Sequence, residues 1–352
     1  MSKKLHPSLL PLVFCAAVII IDVVALATGR IAKPETKTWS SKTTEAEPLL
    51  LDFKTDFKDR IKSALPDESE GLALGYLLGD KSELGATLKE TIAAVGLTHL
   101  IVASGAHLGI ILKFAKKSFG KISRAAGLFA NLAAVALFIG IIGLTPSALR
   151  AGLVAVLSLL AAHFGRDLKP GRLLLYAAAT TLLVDPTYPL NLSWLLSFAS
   201  FTAVLLVAPA LETYFYGPQK SANSKNPSTL ASLLLASLSA TLLTAPILLF
   251  YFGQISLISV LANLLISPTL ALTMLMTFLT GLLPNPVTAL GAHLLVQYHI
   301  AVASTLADQT AFLVSIDKNN PLVFLLYLPL LPVFLFLYRK NKIFMVKTKA
   351  LC

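Results

Sequence analysis

Charge is scarce in this sequence. Only 13% of its 352 residues are Asp, Glu, Lys or Arg, where soluble domains carry about 25%. More than half are hydrophobic and the mean hydropathy is +0.76, more apolar surface than a soluble fold can hide. Cysteine is nearly missing. Cys15 lies in the first apolar run and Cys352 is the last residue, which argues against a disulfide framework and a cysteine-built metal site. No His-x-His-x-Asp-His run occurs, so a metal-dependent nuclease of that kind is not expected of this chain. His293 and His299 stand six apart, on different faces of a helix, and make a poor metal pair. The stretch GYLLGDKS at 75–82 has the wrong spacing for a phosphate loop, and Asp80 would repel phosphate there. No cofactor is expected.

What the chain does have is apolar runs. They fall at about 8–28, 96–114, 125–143, 147–164, 173–185, 190–208, 229–252, 255–283, 287–307 and 321–338. Most approach the twenty or so residues that cross a hydrocarbon core of about 30 Å. The expected fold class is an all-α polytopic membrane protein of about ten transmembrane helices. Pro146, Pro186, Pro209, Pro246, Pro268 and Pro284 mark ends or kinks.

Residues 29–95 differ, holding 12 of the 18 acidic residues. Phe53, Phe57 and Ile61 recur every four residues beside Lys54, Lys58 and Lys62, one apolar and one cationic stripe on a helix lying at the membrane interface. Pro66 ends it. The segments 72–79 and 82–95 read as interfacial or re-entrant helices before the second span, with Ser82 a candidate cap for the second of them. The organisation expected is an uncleaved N-terminal anchor (1–28), an external linker and amphipathic helix (29–69), a main membrane domain (70–283), C-terminal transmembrane helices (284–338) and a basic tail (339–352).

If ten spans alternate, the basic clusters fall on one side. These are Lys3 and Lys4; Lys113, Lys116, Lys117, Lys121 and Arg124; Arg166, Lys169 and Arg172; Lys220 and Lys225; and the tail. The positive-inside rule makes that side cytoplasmic, with both termini inside. The net charge of +11 is then mainly a matter of topology rather than of nucleic-acid binding.

The segment 71–112, GLALGYLLGDKSELGATLKETIAAVGLTHLIVASGAHLGIIL, resembles the opening of the membrane domain in the ComEC-type competence family. The matching positions are Gly79, Asp80, Lys81 and Ser82; Gly96, Leu97, Thr98, His99 and Leu100; and Ser104, Gly105 and His107. Further on, Pro146-Ser147-Ala148-Leu149-Arg150-Ala151, Asp185-Pro186, Leu195-Leu196-Ser197-Phe198, Ala245-Pro246, Phe252-Gly253 and Asn263 resemble later landmarks of that family. The resemblance covers about residues 70–270. It implies a channel that carries single-stranded DNA inward across the inner, cytoplasmic membrane during natural transformation. It also implies an external DNA receptor and a cytoplasmic ATPase or single-strand-binding proteins as partners, and leaves a homo-oligomer open.

For the DNA pathway the candidates are Ser104, Gly105, His107 and Arg150. An ionisable residue within a span is costly and points to a pathway; a hydrogen-bonded histidine in a packing seam explains His107 equally well. Gly105 and Gly109 form a small-xxx-small pair. Arg150 can meet phosphate, snorkel to the interface or pair with Asp185. Two alternatives remain. Ala103-Ser104-Gly105 with Ala292-His293 partly matches a rhomboid-like intramembrane serine protease, though Val102 replaces the motif's glycine. The echo of GAHLG at 105 in GAHLL at 291 would suit a secondary transporter of a small solute.

Overall fold

The computed structural model describes residues 48–80, 82–101, 105–119, 123–142, 145–166, 168–185, 187–217, 227–309, 313–330, 332–333 and 336–337. The expected anchor at 1–28, the linker to residue 47 and the basic tail at 339–352 lie outside the described residues.

The chain order is α1 (Pro48–Ala64), α2 (Asp67–Leu78), α3 (Ala86–Ala94), a single turn α4 (Thr98–Ile101), α5 (Gly105–Phe119), α6 (Arg124–Ile142), α7 (Pro146–His163) and α8 (Pro170–Val184). Then come α9 (Leu192–Tyr216), α10 (Thr229–Phe252), α11 (Ser259–Leu282) and α12 (Pro286–Ala307). Among the described residues α6, α9, α10, α11 and α12 are long and apolar enough to cross a membrane, while α7 and α8 are shorter apolar helices. The protein is thus an all-α membrane protein. Its small β element, β1 (Gln254–Ser256) against β2 (Leu313–Ser315), ties the α10–α11 turn to the segment beyond α12.

Of the expected second span, α4 and α5 are described, and Val102, Ala103 and Ser104 between them lie outside the described residues. One expected span takes another form. At 321–338 the described residues open with a 3-10 segment, Pro321–Leu326, instead of a long helix.

Antiparallel α5, α6 and α7 share one core, with Leu108, Val135, Phe138, Ala148 and Ala151 buried between them, and α8 packs its Leu174, Ala177 and Ala178 into another with Trp194 and Phe198 of α9 and Ile247 of α10. The basic turns α5–α6 and α7–α8 lie at the same end of the α5–α7 bundle. A third core joins α1 to α4 with α11 and α12, centred on Phe57, Ile61, Leu72, Leu74, Ile266 and Val296. Here α2 is buried within protein instead of lying at an interface. Its first turn holds Asp67, Glu68 and Glu70, which suit the positive end of a helix dipole. Ser82 does not cap α3; that helix starts at Ala86, and the Ser82 hydroxyl donates to Asp80.

The α1 helix presents the expected apolar stripe, with Phe57 and Ile61 buried at about 1.5–3 kcal/mol each. Phe57 fills a notch at Gly281, where a Cβ would come within 2.5 Å of the ring. Arg60 donates to the Leu282 carbonyl, and Lys54 to that of Ile141. These two carbonyls end α11 and α6. Strict alternation of ten straight spans would put them on opposite membrane faces. Lys54 and Arg60 are only about 9 Å apart along the helix, well short of a hydrocarbon core of about 30 Å. The simple alternation is therefore corrected: α1 gathers both ends to one place.

Two long helices carry an internal proline, and a carbonyl next to the one each proline leaves without its amide takes a side-chain donor. Pro246 lies inside α10 and Pro268 inside α11. The carbonyl three residues before each accepts from a tyrosine: Tyr327 donates to Leu243 at 2.7 Å and Tyr298 to Leu265 at 3.1 Å. In α9 a π turn spans Ala203–Val207, just where Pro209 has no N–H to return to Leu205.

Candidate functional site

The start of α7 is fixed by local chemistry. The Thr145 hydroxyl accepts from the Ala148 amide, and Pro146 takes the first helical position, where no donor is needed. This puts Arg150 just past the first turn, near the positive end of the helix. Arg150 is 5% exposed. Its Nε donates to the Ser197 hydroxyl at 2.6 Å, and its guanidinium stacks 4.5 Å above the Phe201 ring. Ser197 and Phe201 are one turn apart on α9, so one helix face supplies both contacts.

The third wall is α5. A Cβ built on Gly105 would lie 3.4 Å from Arg150 Nη2, in van der Waals contact, so a side chain longer than alanine's would press on the guanidinium. Gly109 faces open space, so the two glycines do not act together as a packing seam. Among the described residues no carboxylate comes within ion-pair distance of Arg150. Asp185 does not pair with it; its Oδ1 accepts from the amide and hydroxyl of Thr187 in a local turn. A buried guanidinium with a hydroxyl, a ring face and a helix N-terminus around it is a setting that favours an anion.

The structure divides the expected pathway residues. Gly105 and Arg150 meet, and Ser104 lies outside the described residues. His107 is two residues beyond Gly105, about 200° round the helix. It is buried and hydrogen-bonded to the backbone of Leu100, which ties α5 to α4. Phe198, beside Ser197, turns into the core against Trp194 at 4.3 Å. Phe201 was not among the expected pathway residues, although its spacing of four from Ser197 was the available signal.

The remaining motif residues form two other places. Gly96, at φ +71°, rests its α-carbon on the start of α11, where a Cβ would be 2.8 Å from that of Ser259. Nearby His99 Nδ1 bonds the Gly96 carbonyl, and Asn263 lies one turn along α11. The Gly79-Asp80 turn is held by α1: Lys58 donates to Asp80 and Lys62 to Glu83 at 2.9 Å. Partial burial disfavours a charged Asp80, but hydrogen bonds from Lys58 and from the hydroxyl and amide of Ser82 outweigh it and hold the carboxyl well below the usual range. Lys81 lies outside the described residues. His293, the histidine a rhomboid-like site would need, hydrogen-bonds Ser69 at 2.8 Å.

Comparison with known proteins bears on this arrangement. The family described as "Competence protein" matches residues 76–341. ComE operon protein 3 of Bacillus subtilis (strain 168) is 26% identical over 276 residues, 75% of this chain and 34% of the relative. The chain therefore spans about a third of that relative's length (34%). No solved structure matches the chain.

Proposed function

Since this chain belongs to the competence protein family, we propose that it forms the path by which single-stranded DNA crosses the inner, cytoplasmic membrane during natural transformation. The observation that carries this is the buried Arg150, held by Ser197 and Phe201 without a carboxylate among the described residues. A guanidinium kept from ion-pairing retains its charge for a passing phosphate, and Phe201 adds a ring face of the kind that bases stack on. Gly105 keeps the space beside it narrow but unblocked. The chain acts as a transporter, not an enzyme. It takes DNA from an external receptor and hands it to a cytoplasmic ATPase or single-strand-binding proteins. Of the other motif residues, His99, His107, Asp80, Asp185 and Asn263 shape the helices around the path.

The test is uptake of fluorescently labelled DNA and transformant counts in the host, comparing wild type, an in-frame deletion and Arg150→Gln at matched protein level. The deletion should leave DNA outside the cytoplasm. Losing one charge-assisted phosphate contact of about 1.5–3 kcal/mol should cut transformation by roughly tenfold or more. Undiminished transformation in the deletion strain would end the channel proposal. A deletion defect with normal Arg150→Gln uptake would remove Arg150 from the path.

A further inference from the structure

The turn between α7 and α8 carries a feature that DNA passage does not use. A cavity of about 590 Å³ opens there. Its apolar wall is one face of α7, Leu157, Leu160 and Phe164, at spacings of three and four. Its opposite wall is Tyr176 on α8. Lys169, Arg172 and Tyr176 follow one another at the same spacings, so the two cations rise from Tyr176 toward the turn on one face of α8. Arg166, at the turn, is the one charged residue of the lining.

The turn is built to place that arginine. Gly165 takes φ +67°, a left-handed conformation that glycine adopts without strain. Gly165 N–H then reaches the Ala162 carbonyl and Arg166 N–H the Ala161 carbonyl at 2.8 Å, folding the chain back over the end of α7. Arg166, Lys169 and Arg172 are all exposed. The turn's single carboxylate, Asp167, lies outside the described residues, and three cations less one anion leave a formal +2. The first amides of α8 add to the positive field. Phe164 and Tyr176 are large exposed aromatics at this end of an apolar bundle, where rings sit at headgroup depth.

We infer that this groove is a binding site for an anionic phospholipid, with its phosphate on Arg166 and Arg172 and an acyl chain along Leu157, Leu160 and Phe164. The lining is apolar except for Arg166, with Lys169 and Arg172 exposed beside it, which suits a phospholipid of anionic headgroup better than a free anion. The inference rests on the membrane fold and stands apart from the DNA path.

The full chain would be purified in detergent and then placed in nanodiscs of phosphatidylethanolamine with or without phosphatidylglycerol. Retained lipid is read by native mass spectrometry. Wild type should keep phosphatidylglycerol over phosphatidylethanolamine by about tenfold, a preference that Arg166→Gln/Arg172→Gln abolishes. Leu160→Trp, which fills the groove and keeps the charges, should lose it too. Lys116→Gln/Lys117→Gln removes as much charge from the neighbouring turn and should change nothing. Equal retention of the two lipids, equal loss in both double variants, or full retention in Leu160→Trp would overturn the site. So would a loss of single-stranded oligonucleotide binding in Arg166→Gln/Arg172→Gln with lipid retention intact, which would assign the surface to nucleic acid.

Discussion

At the scale of single residues, Arg150 is the most consequential side chain. Its burial is tolerable because Ser197 takes one N–H and Phe201 offers a ring face. Ser197→Ala leaves a buried donor unsatisfied, which costs about 1–3 kcal/mol. It should lower the thermal unfolding midpoint in detergent while the charge remains in place. Arg150→Gln should reverse that pattern, with transport falling further than stability. Asp80 makes a second case. Its folded pKa is depressed, so its contribution is complete above the ordinary carboxylate value of about 4 and is lost as pH falls below it. Unfolding midpoints of wild type and Asp80→Asn should differ at neutral pH and converge in acid. A gap that persists unchanged at low pH would mean that shape, not charge, matters at this turn. Arg150, Gly105 and Ser197 were legible as motif residues, but their meeting was not, because it joins three helices through contacts that periodicity does not encode. The opposite facing of His107 was legible in principle, since two residues along a helix turn it about 200°.

At the scale of elements, hydropathy placed α10 to the residue and α12 within one, because both are uninterrupted apolar runs with capping residues, Ser228 and Asn285, at their starts. It missed the burial of α2. Glycine and alanine in α2 look neutral in sequence; they are buried because α11 and α12, some two hundred residues on, close over them. The notch for Phe57 belongs to this scale. Gly281→Leu should force the ring out at a cost of about 1–3 kcal/mol, and Gly281→Leu/Phe57→Ala should recover part of it. Limited proteolysis across α1 would read both. If Gly281→Leu leaves α1 as protected as in wild type, the notch does not hold it.

For the whole molecule, three helical groups meet: α5 to α7 as an antiparallel bundle, α8 to α10 around Trp194 and Phe198, and α1 to α4 around α11 and α12. Composition alone announced the membrane, but counting spans in strict alternation failed at α1, which touches the ends of α6 and α11 together. Topology is best tested inside the bundle. With Cys15 and Cys352 replaced, Ser123→Cys and Lys169→Cys should react with an impermeant thiol reagent from one face, and Thr187→Cys from the other. Labelling of Ser123→Cys and Lys169→Cys from different faces would break the bundle.

The tyrosines that answer the two internal prolines carry a consequence for the protein's history. Each proline and its donor sit on different helices, Pro268 with Tyr298 and Pro246 with Tyr327. The amide that a lineage regains by replacing the proline returns to Leu242 or Leu264, one residue before the carbonyl that the tyrosine holds, so the distant hydroxyl keeps its partner. A lineage that loses the tyrosine takes a donor from that carbonyl in lipid-depth protein. Descent should therefore let proline and tyrosine change independently, and relatives with phenylalanine at 298 or 327 should be those in which another donor reaches the same carbonyl.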